Sequence, residues 1–139
     1  MIYYYFGKSK KEIVDAALKV IGDEFFGLSK ERIQMWANGQ ILESVKRTRE
    51  LLVLAPHTSE FYFHWRHQSG EITEALIALE KRHRKKIKNL YPGCSEVDID
   101  IIFAALFGLI LTPKIQGIAI EAMIDRIQTF LSKNYQDKA

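Results

Sequence analysis

Apolar residues recur along this chain at intervals of three and four, the spacing of an amphipathic helix, and no run of useful length alternates with the period of two that marks a half-buried strand. The expected class is therefore all-α. Ser9 can cap a first helix with Glu12 reaching back to it, and Ile13, Ala17, Ile21 and Phe25 then form one stripe until Gly27 ends the segment. Ser29 is the expected cap of a second helix running to about Leu54, with Ile33, Trp36 or Ala37, Ile41, Val45, Thr48 and Leu52 near one face. Gly39 lies inside that helix and costs ~1 kcal/mol relative to alanine, which predicts a bend or a split there.

A third region opens at Thr58-Ser59 with the aromatic block Glu60 to His67, and Ser69-Gly70 breaks or kinks it. From Glu71 the pattern is regular: Ile72, Leu76, Leu79, His83, Ile87 and Leu90 make one face, and the opposite face is charged throughout. Tyr91-Pro92-Gly93 reads as a turn. Ser95 caps the next helix, with Glu96, Asp98 and Asp100 in its first turns, where negative charge suits the helix dipole. From Ile101 to Leu111 that helix is apolar on every side, which predicts burial all round, and Pro113 ends or interrupts it. The run is too short to cross a bilayer, which takes ~20 apolar residues. A final helix, about Gln116 to Asn134, shows Ile120, Ile124, Ile127 and Leu131 on one side, widened by Ile118, Met123 and Phe130.

Composition narrows the setting without naming an activity. With 139 residues the chain can bury one core of its own. A formal charge of +3, from 20 Lys and Arg against 17 Asp and Glu, does not by itself demand a polyanionic partner. The single cysteine, Cys94, and the lack of a charged-then-apolar leader fit a reducing, cytoplasmic setting with no membrane attachment.

The last two helices argue for association. Between them they offer more apolar surface than one side of a small helical layer can cover, so a two-fold homodimer is expected in which both pair with their copies as a four-helix bundle. The residues expected at that interface are Phe103, Phe107, Ile110, Ile120, Ile124 and Ile127.

The aromatic block is the other place to look for function. Phe61, Tyr62, Phe63 and Trp65 cannot all point one way on a helix, and Trp36, Met35, Phe25 and Phe26 can converge on them. One reading is plain core packing; the other is an apolar pocket with Tyr62, His64 and His67 as polar handles, lined by Trp36, Phe61, Tyr62, His64 and Trp65. His64 and His67, three apart with Glu60 or Glu71 in reach, are too weak a pattern to call for a metal, and no metal or cofactor is expected. The basic run Lys81 to Lys88 reads as a solvated face, with His83 and Ile87 turned inward and Glu80 one turn before Arg84 as an ion-pair partner. No glycine-rich phosphate loop, nucleophile elbow or Cys-His pair gives catalysis a foothold, so no enzyme is expected.

The opening residues, MIYYYFGKSKKEI, carry a resemblance. Ile2, Tyr3, Tyr4, Tyr5 and Phe6, followed by Ser9-Lys10 and Ile13, are similar to the end of the recognition helix and the start of the next helix in tetracycline-repressor (TetR) family transcriptional regulators. Gly7 and Lys8 make the turn one residue longer than the family pattern, which leaves open whether Lys8 or Lys10 reaches a DNA phosphate. The resemblance implies a division into residues 1–8, a remnant of a helix-turn-helix domain, and 9–139, a TetR-like ligand-binding and dimerisation domain whose last two helices form the dimeric bundle. It implies that Tyr3 and Tyr4 touch the DNA backbone, that Lys10 or Lys8 binds a phosphate, and that a small-molecule effector lies between the helices. It also implies leading helices upstream of Met1, without which binding to operator DNA is expected to be poor, because groove reading needs a complete recognition helix held by its partners. The rival expectation is a helical ligand-binding or adaptor dimer without DNA binding.

Overall fold

A computed structural model describes residues 9–111 and 117–134 of the chain, with side chains to Leu131. Tyr3, Tyr4 and Lys8 lie outside the described residues. Within them every regular element is helical: α1 (Lys10–Val20), which widens into a π-helical turn at Ile21–Phe25, then α2 (Lys30–Ala37), α3 (Ile41–Leu54), α4 (His57–Arg66), α5 (Glu71–Leu90), α6 (Glu96–Leu111) and α7 (Gly117–Asn134). Among these, no helix is long and apolar enough to cross a membrane.

The boundaries follow from local chemistry. Ser9 Oγ accepts the Glu12 N–H at 3.2 Å, the expected cap of α1. The helix then loosens: Phe26 N–H donates to Ile21 O and Leu28 N–H to Gly22 O, both at 2.9 Å, and Gly27 ends the segment at φ +61°. The helix expected from Ser29 to Leu54 is split at Gly39, whose φ of +76° separates α2 from α3. The face of α2 is rotated by one position from the one expected, so that Arg32 is buried and Ile33 is exposed. At α4 the chain turns helical already at Pro56, one residue before His57, since the fixed proline φ suits a first turn. Gly70 at φ +118° parts α4 from α5.

α3 is the central helix, packed by α2, α4, α6, α7 and the π-helical turn. One core joins Trp36, Ile41 and Val45 to Ile87, to Ile99, Ile102, Leu106 and Leu109 of α6, and to Ile120, Ile124 and Leu131 of α7. The second gathers Ile21, Phe25, Phe26 and Leu28 against Tyr62 and Leu76. α6 is not buried all round within the chain: Val97 and Ile101 are 66% and 62% exposed on the side away from the core. On α7, Ile118 is 83% exposed, and Met123 and Phe130 are exposed as well.

Candidate functional site

Where the π-helical turn meets α2, α3, α5 and α6, the molecule buries charge. Arg32 is 1% exposed, because the rotation of α2 points it inward. Its Nε donates to Glu24 Oε2 at 3.0 Å, and its Nη1 donates to Ser44 O at 2.7 Å and to Ser44 Oγ and Thr48 Oγ1 at 2.9 Å. Nη2 lies 2.8 Å from the same Glu24 oxygen, a charge contact outside hydrogen-bond geometry. Thr48 Oγ1 in turn donates to Glu24 O at 2.9 Å, tying α3 to the π-helical turn.

Lys86 of α5 is buried opposite Arg32. Its Nζ donates to Phe26 O at 3.3 Å and Gly27 O at 3.2 Å and sits 4.1 Å from the centre of the Trp36 ring. No carboxylate among the described residues pairs with it. Burial, with repulsion from Arg32, brings its pKa down to about 7. His83 Nδ1 donates to the same Phe26 O at 3.0 Å, and burial followed by the nearby Lys86 charge lowers that imidazole to about 3, so it is neutral at physiological pH. The main chain leaving α1 is thus held by two side chains of α5. Gly27 is small for that reason as well as for its positive φ, since a Cβ there would lie 3.3 Å from Lys86 Nζ.

Between these polar groups and the rings of Phe25, Phe26, Phe103 and Phe107 lies a cavity of about 20 Å³, room for about one water by the usual measure. Leu106 and Ile110 complete its apolar wall. Ile110 also lines a second, open groove of about 610 Å³, bounded by Leu52, Val53, Leu111 and Ile120 together with Lys46, Arg49 and Glu50.

Of the five residues expected to line a pocket, Trp36 alone borders this cavity. Tyr62 is core: it stacks on Phe25 with ring centres 5.5 Å apart, contacts Phe107, and donates its hydroxyl to Glu80. Phe61 and Trp65 pack against that core, and His64 and His67 are exposed. The expected interface set divides in the same way. Phe103, Phe107 and Ile110 face the cavity, Ile120 and Ile124 are buried in the chain's own core, and Ile127 alone lines the exposed α6–α7 groove with Ile101, Ala105 and Phe130. The reason is that α6 has apolar residues on every side, so periodicity could not choose its inward face. Glu80 does not pair with Arg84; it accepts from Arg66 and Tyr62, while Arg84 pairs with Asp100 of α6. Lys10 is exposed in the first turn of α1.

Arg32, Ser44, Thr48, His83 and Lys86 are the residues that form the polar wall, and Lys86 was expected on the solvated face. A signal existed: Lys86 is three positions after His83 and seven after Leu79, on the inward stripe of α5. No family model matches the chain, and neither the curated proteins nor the solved structures contain a match.

Proposed function

We propose that this chain is the ligand-sensing and dimerising part of a TetR-type transcriptional regulator, a small-molecule-sensing homodimer whose full-length form binds operator DNA. The observation that carries the reading is the cation-lined cavity directly beneath the end of α1. In the resembled family the corresponding helix joins sensor to DNA reader, and here its terminal carbonyls, Phe26 O and Gly27 O, are held by His83 and Lys86. A ligand that draws Lys86 off those carbonyls changes what holds the end of α1, so occupancy of the cavity is coupled to the position of that helix. In this reading Lys10, beside the Ser9 cap, or Lys8 takes a DNA phosphate where the first-turn amides and the dipole favour an anion.

The exposed apolar groove of Ile101, Ala105, Ile127 and Phe130 between α6 and α7 is the surface a second copy would cover. The interface then uses the outer faces of these helices, where Ile127 alone of the six residues first expected lies.

Two measurements test the reading together. Sedimentation should find dimers at micromolar concentration, and Ile101→Glu should shift them to protomers. In a gel shift at low salt, a chain extended upstream through its genomic reading frame should select one DNA sequence, and the 139-residue chain should not. Dimers without sequence selection by the extended chain would leave a ligand-binding or adaptor dimer instead.

A further inference from the structure

The Lys86 cavity has a charge imbalance that specifies what it takes. Two cations line it, Arg32 and Lys86, and behind Arg32 stand Glu24, Arg47 and Glu31. Glu24 contacts both Arg32, at 2.8 Å, and Arg47, at 3.5 Å, and Glu31 pairs with Arg47 at 2.7 Å. Those two carboxylates answer the two arginines, and the buried Lys86 ammonium is left without one among the described residues. Lys86 has two carbonyls and a ring face as partners, which orient an ammonium without neutralising it. The opposite wall is aromatic and aliphatic, and its Ile110 also lines the groove, where Leu52, Val53, Leu111 and Ile120 give an apolar floor and Lys46, Arg49 and Glu50 a charged rim.

We infer that the site, which has room for about one water as it stands, opens at Ile110 to bind a small organic monocarboxylate with an apolar tail, its carboxylate on Lys86 beside Arg32 and its tail in the groove between α3 and α6. A single negative charge matches the one unneutralised cation; a dianionic head would exceed it. A cationic ligand would face Lys86 and Arg32 without a free carboxylate. A neutral alcohol could fill the groove but would leave the ammonium as it was. The inference rests on the ligand-sensing reading above and names the chemistry of its ligand.

The test uses the whole chain and three probes of one tail length: sodium octanoate, 1-octanol and octyl phosphate, titrated by calorimetry at pH 6.5 and pH 9. Across that window Lys86 is the group at the cavity that changes charge. It faces Arg32 from α2 and neutral His83 on its own helix; α3 presents the hydroxyls of Ser44 and Thr48, and α6 presents apolar side chains. At pH 6.5 octanoate should bind one per chain and about tenfold or more tighter than octanol, as expected for a charge-assisted contact. That margin should collapse at pH 9, and in Lys86→Met at either pH, while octanol binding changes less than about twofold. The pH arm on the unaltered chain stands even where Lys86→Met fails to fold. Octanoate and octanol binding equally at pH 6.5 would overturn the carboxylate and leave the sensing role intact. Tighter binding of octyl phosphate would overturn the monoanion, and no binding by any probe below ~1 mM would overturn the inference and the sensing reading together.

Discussion

Glu80 and Lys86 sit on the same helix, both withdrawn from solvent, and their surroundings are opposite. Glu80 accepts the Tyr62 hydroxyl and, from Arg66, Nε at 2.5 Å and Nη2 at 3.0 Å, so its charge is fully answered by one cation and one hydroxyl from α4. Lys86 has carbonyls and a ring, with another cation close by. The first arrangement is a clasp between α4 and α5 with every group used. The second leaves a charge unanswered beside a cavity. Placing both on α5 separates the polar groups that hold the helices together from those a ligand can change, since neither Glu80 nor Arg66 lines the cavity, while the Tyr62 ring backs Phe25 and Phe107 of its wall.

The largest expected contrast comes from removing the cation that both binds structure and lines the cavity. Arg32→Met leaves the Ser44 carbonyl and two hydroxyls without that donor and Glu24 with Arg47 alone, and should lower stability by about 3 kcal/mol in chemical denaturation, in the range for breaking one side of a buried pair. Lys86→Met should behave differently, and its signature is in the pH dependence. The folded chain holds the Lys86 proton only up to about 7, the unfolded chain up to 10.5, so between those values the unfolded state binds more protons and stability rises with pH. From pH 7 to 9 the unaltered chain should gain stability with a slope approaching about 1.4 kcal/mol per pH unit, and Lys86→Met should lose that slope.

On the clasp, Tyr62→Phe removes one hydrogen bond and leaves the Arg66 pair, so a loss of about 1 kcal/mol is expected with no change in octanoate affinity. Smallest of all, His64→Ala on the exposed side of α4 should move stability by no more than about 0.5 kcal/mol and leave binding as it was, as thermal melts and calorimetry can check.

The helical class, the breaks at Gly27, Gly39 and Gly70, and the inward stripe of α5 were legible because each rests on local rules: period, caps and positive φ. Which way α6 faces was not legible, because a helix apolar on every side carries no directional signal; its inward residues are fixed by α3 and α5. The same limit misplaced the pocket. The rings of Phe61, Tyr62 and Trp65 drew attention by their density, yet dense rings pack well against one another, and Tyr62 alone contacts Phe25, Phe26 and Phe107. The cavity formed instead where Arg32 and Lys86 enter the interior. Residue type argued for the surface at both positions; spacing argued against it at Lys86, while at Arg32 the stripe expected through Ile33 pointed the other way. At Lys86 the spacing was right, since a long aliphatic stem can follow an apolar face while its head finds main-chain carbonyls.

The most direct test of the account is the titration of the Lys86 side chain itself, followed by NMR of its Cε and Nζ on selectively labelled protein, with Lys86→Met to assign the signal. An ammonium that loses its proton near pH 7 in the free protein and holds it to higher pH when octanoate is bound is the predicted result. A Lys86 that titrates near the ordinary 10.5, with or without octanoate, would contradict the claim that this chain buries an unanswered charge at its ligand cavity.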